Sequence, residues 1–454
     1  MSENDVVAWL YEQASMLLEK EADMGAMENA LKKVGNEACR RALERIVQEK
    51  ADHQDMICPG CEGKLNIESY QRARNARTSF DVIRFTRDYG FCSNCKEYFY
   101  PVDVKLGLHT RAAASPKVQE ICALTTLRAP AGQAHDDVLR LTGIKLDAST
   151  IHREAIRQGE RALLLRDIDE KLTQTPKGVA KLASRALVPK APFTMIIEID
   201  AWNIRERDNW GKTQEFAKAG KDTGRWHWVY TGTVFRLDQR GTSESGRSVI
   251  TERGYVATRR GLESFQKQLY AEALQRGLIQ AEQVLILADG AIWIWNIAND
   301  RFKGATQRVD LYHVKGHLWG LANAIYGKGT TEAREWVSPL LSWLERRKKG
   351  ALDVISSMEE MKSTLTKITK EQRDAINREI NYFNGHKDRM DYKAGMAKGQ
   401  PVGSGAIEST CSQYQRRFKL TGQFWSLAGD EAFLALSSLH RNCRWKQLFP
   451  FDPV

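Results

Sequence analysis

Cysteine is scarce: the chain of 454 residues holds eight, too few for a disulfide scaffold. Four of the eight fall in two close pairs, which points to a metal in a reducing compartment. Long apolar runs are missing as well. No stretch approaches the roughly 20 residues that span a bilayer, and the N-terminus lacks the short apolar core of a secretory signal. These absences predict a cytoplasmic protein with no membrane partner. Acidic residues are in deficit, 57 Asp and Glu against 68 Lys and Arg, for a net charge of +11. That excess favours a polyanionic partner, nucleic acid first. The length predicts two to four units.

Residues 1–55 carry helical apolar spacing amid dense charge, as in Leu10, Ala14, Leu17 and Leu18, then Leu31, Ala42, Leu43 and Ile46. They predict a helical arm of two amphipathic helices for packing or dimerisation. Residues 56–105 hold Cys58-Pro59-Gly60-Cys61 and Cys92-Ser93-Asn94-Cys95. Two C-x-x-C knuckles supply the four thiolates of one structural Zn²⁺, whereas a redox dithiol needs only one pair, beside a β-α-β unit. Phe80 to Phe85 alternates at the strand period, so a zinc ribbon is expected, with Arg72, Arg74, Arg77, Arg84 and Arg87 as candidates for phosphate contact. Residues 106–170 turn helical. Within 134–157, Gly143 separates two helical patterns and Asp147 stands where it can cap the second. This helix-turn-helix-like region would offer Ser149, Thr150, His152 and Arg153 to DNA; the alternative is a plain structural corner.

Residues 171–192, with Pro176, Gly178, Pro189 and Pro192, read as a linker. After it, Thr194 to Asp200 is an apolar run ending in a carboxylate, as a buried strand delivers an Asp to a sheet edge. Trp226 to Phe235 predicts a second strand and 261–276 a helix. Val284 to Ala288 followed by Asp289-Gly290 repeats the strand-then-acid device, with a glycine that lets the backbone turn. A third acid, Glu408, stands in the first turn of a helix that Ser404 can cap, with Arg416, Arg417 and Lys419 further along as cations for DNA. Three carboxylates suit Mg²⁺ (or Mn²⁺), and two such ions about 4 Å apart can support in-line phosphoryl displacement. Glu198 should share the face of Asp200 and sit deeper. Trp293, Trp295 and Trp319 read as core, with base stacking at a nicked DNA end as the alternative. His317 reads as a packed histidine.

The succession of Asp200, Ala288-Asp289-Gly290-Ala291-Ile292-Trp293, Val309-Asp310-Leu311-Tyr312-His313 and Gly403-Ser404-Gly405-Ala406-Ile407-Glu408-Ser409 resembles bacterial insertion-sequence DDE transposases of the ISKra class, related to Mutator-like transposases. The resemblance covers roughly 115–445. It implies an α/β architecture: a ribonuclease-H-like catalytic core at 193–325, interrupted by an all-helical insertion at 326–400 that forms its own packed unit, and resumed by C-terminal helices at 401–454. It implies a triad of Asp200, Asp289 and Glu408 holding two Mg²⁺ or Mn²⁺ ions, and a D-x-x-H motif on the strand after the second acid. Asp310 and His313 would then support the site, although a packed strand histidine is the alternative and Asp310 rivals Asp289 as second acid. The implied activity is strand cleavage at element ends and strand transfer into target DNA. The implied partners are double-stranded DNA, as terminal repeats and target, and further copies of the chain in a homodimer or higher oligomer associated with the nucleoid. The alternatives are a DNA-binding protein descended from a transposase that has lost catalysis, or a structure-directed DNA nuclease.

Overall fold

The computed structural model describes residues 3–19, 22–108, 114–207, 213–220, 225–365 and 367–451. The chain divides into two compact units, Met1–Gly159 with Lys446–Val454, and Glu160–Trp445. The first unit starts with α1 (Glu3–Ser15) and α2 (Met24–Asp52). The Asp23 side chain accepts a hydrogen bond from the Ala26 N–H and so starts α2. Next comes an antiparallel sheet in the order β1 (Asn66–Thr78), β2 (Asp81–Cys92), β3 (Glu97–Phe99), then α3 (Pro101–Lys105). Phe80, expected to open a strand, lies in the turn, because Thr78 pairs with Asp81. Val47 of α2 is buried with Ala76, Ile83, Phe85 and Val102.

Three helices follow, α4 (Pro116–Thr126), α5 (Ala131–Thr142) and α6 (Ala148–Leu172). Gly143 ends α5 at φ 79°, a left-handed cap that glycine takes without steric cost. Val118, Cys122, Ala134, Val138, Ile144, Leu146 and Ile151 bury one another among these helices. The C-terminal tail belongs to this unit, with the Lys117 ammonium 5.5 Å from the Phe451 ring centre. The expectation that all of 401–454 completes the second unit is therefore corrected.

In the second unit the expected linker is partly helical. Thr175 caps and Pro176 opens α7 (Pro176–Ala183), and Leu182 and Ala183 are buried against Ala271 and Leu274. Proline here is a helix start, since the first turn needs no N–H from it. The elements then run β4 (Thr194–Glu206), α8 (Thr213–Lys218), β5 (Arg225–Arg236), a small ribbon of β6 (Arg240–Thr242) and β7 (Ser248–Ile250), β8 (Gly254–Thr258), α9 (Leu262–Gln275), β9 (Gln283–Ala288), α10 (Ile292–Arg301), β10 (Thr306–Val309) and α11 (Leu311–Tyr326). Helices α12 (Thr331–Arg346), α13 (Gly350–Thr364), α14 (Lys370–His386) and α15 (Tyr392–Ala397) precede α16 (Gly405–Phe418) and α17 (Leu427–Arg441).

Among the described residues the main sheet has five strands in the order β10-β9-β4-β5-β8. Strands β10, β9 and β4 are parallel, and β5 runs antiparallel to β4 and β8. Alternate residues of β4 divide between its faces. Met195, Ile197 and Ile199 are buried with Phe265, Leu269 and Ile294 of α9 and α10, while Ile196 packs with Phe235, Leu285 and Ala406 of α16. The sheet thus has helices on both faces. The residues 326–400, expected as a separate packed unit, share that first core: Val337, Leu340, Met358, Ile376 and Phe383 are continuous with Ile197 and Ile286. The apolar faces of these helices are buried on the sheet's own helices rather than only on one another.

Candidate active site and metal centre

The four knuckle cysteines come together in the first unit, all sulfurs lying within 4.8 Å of one another. Cys58 Sγ is 3.7 Å from Cys95 Sγ, and Cys61 Sγ is 3.5 Å from Cys92 Sγ. A tetrahedral zinc with bonds of about 2.3 Å separates its sulfurs by about 3.8 Å, so the set could hold a structural metal such as zinc. Both knuckles are built alike: the Glu62 N–H donates to the Cys58 carbonyl and the Lys96 N–H to the Cys92 carbonyl, with Glu62 at φ 60° and Lys96 at φ 59°. The Cys95 N–H also bonds Cys92 Sγ, and this bond leads the causes that lower the Cys92 thiol to about 7, while hydrogen bonding to Cys61 and Cys58 raises the Cys95 thiol.

In the second unit the acids meet where β9 and β10 end; Asp200, expected at the end of its strand, instead lies within β4, which runs on to Glu206 in its pairing with β5. Pairing from Thr194 with Gln283 to Glu198 with Leu287 keeps a constant register. Two residues further along each strand, that register sets Asp200 beside Asp289. On the other side Val309 pairs with Ala288, and the Asp310 N–H donates to the Ala288 carbonyl at 2.7 Å, so Asp310 comes next in the row. Burial raises the Asp200 carboxyl above its ordinary range, and the neighbouring Asp289 charge adds to it. Gly290 turns the chain at φ 108°, a conformation open to glycine, and the Asp289 Oδ1 accepts from the Ala291 N–H at 3.0 Å.

The third acid reaches this row by an anchored helix. Glu198, 1% exposed on the face of Asp200, accepts the Ile407 N–H at 2.8 Å and so holds the N-terminus of α16 to β4. Burial, with the Asp310 charge behind it, pushes the Glu198 carboxyl up to about 8. The next residue, Glu408, is exposed, and its carboxyl is raised by partial burial and by the charges of Asp310 and Asp200. Cys411 is buried on the same helix, and burial, with the Asp200 charge behind it, raises its thiol. The expected cap at Ser404 is corrected: its side chain makes no cap bond, and its hydroxyl donates to Asp310 Oδ2 at 2.7 Å. Among the described residues, Asp200, Asp289 and Glu408 are not a set whose oxygens all lie within 4.8 Å, so they do not form a cage for one ion.

Asp310 is committed elsewhere. Its Oδ1 accepts the His313 N–H at 2.7 Å, capping α11, and its Oδ2 accepts both the Ser404 N–H and the Ser404 hydroxyl. Only 2% exposed, it acts as a structural clamp between α11 and the Gly403–Gly405 turn. Its capping also corrects the expected strand for the D-x-x-H motif: β10 ends at Val309, and His313 lies in the first turn of α11.

His313 is exposed and lowers the Asp200 carboxyl electrostatically. Its Nε2 lies 3.2 Å from His317 Nε2, and His317 Nδ1 lies 2.7 Å from Glu379 Oε2. The Tyr382 ring stacks on His317 at 3.9 Å between centres, and its hydroxyl donates to the Asp289 carbonyl at 3.2 Å. Helix α14 thus brings Tyr382 to Asp289 and Glu379 to the histidine pair. Sequence reading missed both, and it assigned His317 to plain packing; the spacing of Glu379, Tyr382 and His386 along one helix face was the signal available.

Of the residues expected to touch DNA, Ser149, His152 and Arg153 are exposed on the opening turns of α6 and Thr150 is half-buried, its hydroxyl bonded by Arg153 at 3.1 Å. Arg416 and Lys419 are exposed. Two expected contacts are corrected. Arg417 is buried over the Trp425 and Phe433 rings, where burial lowers it to about 10. Arg87 is buried too, bonded to Asp103 at 2.9 Å and to the Arg72 and Ala73 carbonyls. No protein-family model matches the chain, and no curated protein matches it. No described helix is long and apolar enough to cross a membrane.

Proposed function

We propose that the chain is a DDE-type DNA transposase of the ISKra-like class, with a ribonuclease-H-like second unit that cleaves DNA at element ends and joins it to target DNA. The observation that carries the reading is the β4–β9 register, which sets Asp200 beside Asp289 while Glu198 fastens the helix that bears Glu408 over the same face. Burial first, and neighbouring carboxylates behind it, raise the carboxyls of Asp200 and Glu408, and divalent cations would relieve the like-charge part. An all-oxygen donor set fits Mg²⁺ or Mn²⁺, and ligands shared between two ions need not lie within one cage. Asp200, Asp289 and Glu408 would hold the ions, which supply charge to the attacking and leaving oxygens. Asp310 holds α11 so that His313 faces Asp200. Exposed Ser149, His152 and Arg153 would touch the terminal repeats, and two ends acting together call for a homodimer or larger assembly.

The test is cleavage of a duplex carrying the DNA that flanks this reading frame, with Mg²⁺ or Mn²⁺. Nicking at the element boundary followed by strand joining is expected, and Asp289→Asn and Glu408→Gln should abolish both. Undiminished cleavage by either variant would refute the triad, and cleavage without joining would favour the nuclease alternative.

A further inference from the structure

Beyond the acid row the sheet narrows to a two-stranded ribbon. Strands β4 and β5 stay paired from Asp200 with Thr231 out to Glu206 with Arg225. Along β5, Trp226, Trp228 and Tyr230 alternate onto one face, opposite Arg205, Asn203 and Ala201 of β4. The three rings differ in what covers them. Tyr230 packs 5.2 Å from Trp293, inside the core, whereas Trp226 is 61% and Trp228 54% exposed. Large aromatic side chains usually bury their area, so two adjacent open indoles are a surface awaiting a partner.

The surroundings of these rings are cationic. The Arg205 guanidinium lies 6.0 Å from the Trp226 ring centre and 4.7 Å from Phe424. Lys419, at the C-terminal end of α16, places its ammonium 6.0 Å from Trp226. Indole faces flanked by cations fit a chain that has both flat rings and regular negative charge. Successive rings on one strand face stand about 6.8 Å apart, twice the roughly 3.4 Å rise per nucleotide, which leaves room for a base between two indoles. A base pair in a duplex keeps its faces stacked internally, so the fitting ligand is an unpaired strand. Trp228 lies three residues beyond Thr231, about 10 Å along the ribbon from the Asp200 position and, by strand alternation, on the opposite face from its carboxyl.

We infer that Trp226 and Trp228 form a stacking platform for single-stranded DNA, with Arg205 and Lys419 facing its phosphates. The inference rests on the DNA reading above and adds a form of DNA, the unpaired strand at an opened or cut end. It also moves the stacking role from Trp293 and Trp295: Trp295 is 4% exposed and donates to the Gly290 carbonyl at 3.2 Å, and Trp293 is half-buried against Tyr230.

The experiment measures fluorescence anisotropy of a labelled 12-mer oligothymidylate and of a 12-base-pair duplex with the full zinc-loaded chain, without added Mg²⁺ or Mn²⁺ to prevent cleavage. Losing one stacking ring weakens single-strand binding by about 5- to 150-fold. The Trp226→Ala/Trp228→Ala double variant should therefore lose at least tenfold for the oligothymidylate and keep its duplex affinity. Trp226→Phe/Trp228→Phe, which preserves flat rings and folding, should retain most single-strand binding. Unchanged oligothymidylate affinity in the alanine variant, or an equal loss for both ligands, would overturn the platform. Wild-type binding to the duplex alone would overturn the platform and leave the DNA reading standing, whereas binding to neither would end both.

Discussion

Replacing Asp310 by Ala separates the two acids that compete for the second place in the triad. Asp310 accepts three hydrogen bonds, from the His313 N–H, the Ser404 N–H and the Ser404 hydroxyl, at a site only 2% exposed. The bond to His313 is a helix cap, worth about 1 kcal/mol. The Ser404 N–H would be left buried without its acceptor, at about 2 kcal/mol, and the hydroxyl bond contributes about 1 kcal/mol. Asp310→Ala should thus destabilise the second unit by about 4 kcal/mol. Asp289 is half-buried and accepts the Ala291 N–H at 3.0 Å. Its loss costs about 1 kcal/mol or less, since removing its charge also relieves Asp200. Urea unfolding followed by tryptophan fluorescence, with m values checked for constancy, reads the difference. A fall in midpoint for Asp310→Ala no larger than for Asp289→Ala would refute the structural role assigned to Asp310.

Three further outcomes are expected. The chain should purify with one zinc per molecule by atomic emission, and Cys92→Ser should lose the metal and protease resistance of 56–105; zinc retained in that variant would exclude the four-thiol site. Glu379→Gln should leave urea stability within about 1 kcal/mol of wild type yet slow cleavage about 10- to 100-fold, by analogy with groups that orient metal-site histidines. An unchanged rate would mean that the His313–His317–Glu379 chain does not orient His313. The buried Asp430 is raised to about 9, first by burial and then by Glu206. Its folded value exceeds the ordinary 3.8, so the native state keeps a proton that the unfolded chain releases. The associated stability is complete at acid pH and falls by up to about 1.4 kcal/mol per pH unit as pH climbs towards 9. Asp430→Asn should flatten that decline in urea titrations between pH 6 and about 9, and an unaltered slope would remove Asp430 as its source.

The candidate sites were legible where local chemistry is self-sufficient. Cys58, Cys61, Cys92 and Cys95 could be paired from spacing because each knuckle positions its own two sulfurs. Apolar runs ending in Asp200 and Asp289 announced strands that deliver acids, and both strands formed, although β4 runs on past Asp200 to Glu206 because β5 keeps pairing with it. Where a residue's partner lies far along the chain, reading failed. Asp310 looked like an acid at a strand end, and its commitment to Ser404 appears only on folding. Arg87 and Arg417 counted as surface cations until Asp103 in one case, and Trp425 with Phe433 in the other, enclosed them. The proline-containing segment at Pro176 read as linker because proline both breaks and begins helices, and only burial of Leu182 shows which.

By itself, then, the order of residues determined the four-thiol cluster, the strands that carry Asp200 and Asp289 and the basic excess, since each depends on composition or on neighbours within a few positions. The tertiary structure alone decided that Glu198 would grip the helix carrying Glu408, that Tyr382 and Glu379 would reach Asp289 and His317 from α14, and that two tryptophans would remain open on a ribbon. Those choices depend on strand register and on helices packed over it, and groups more than two hundred positions apart meet only when the whole core closes.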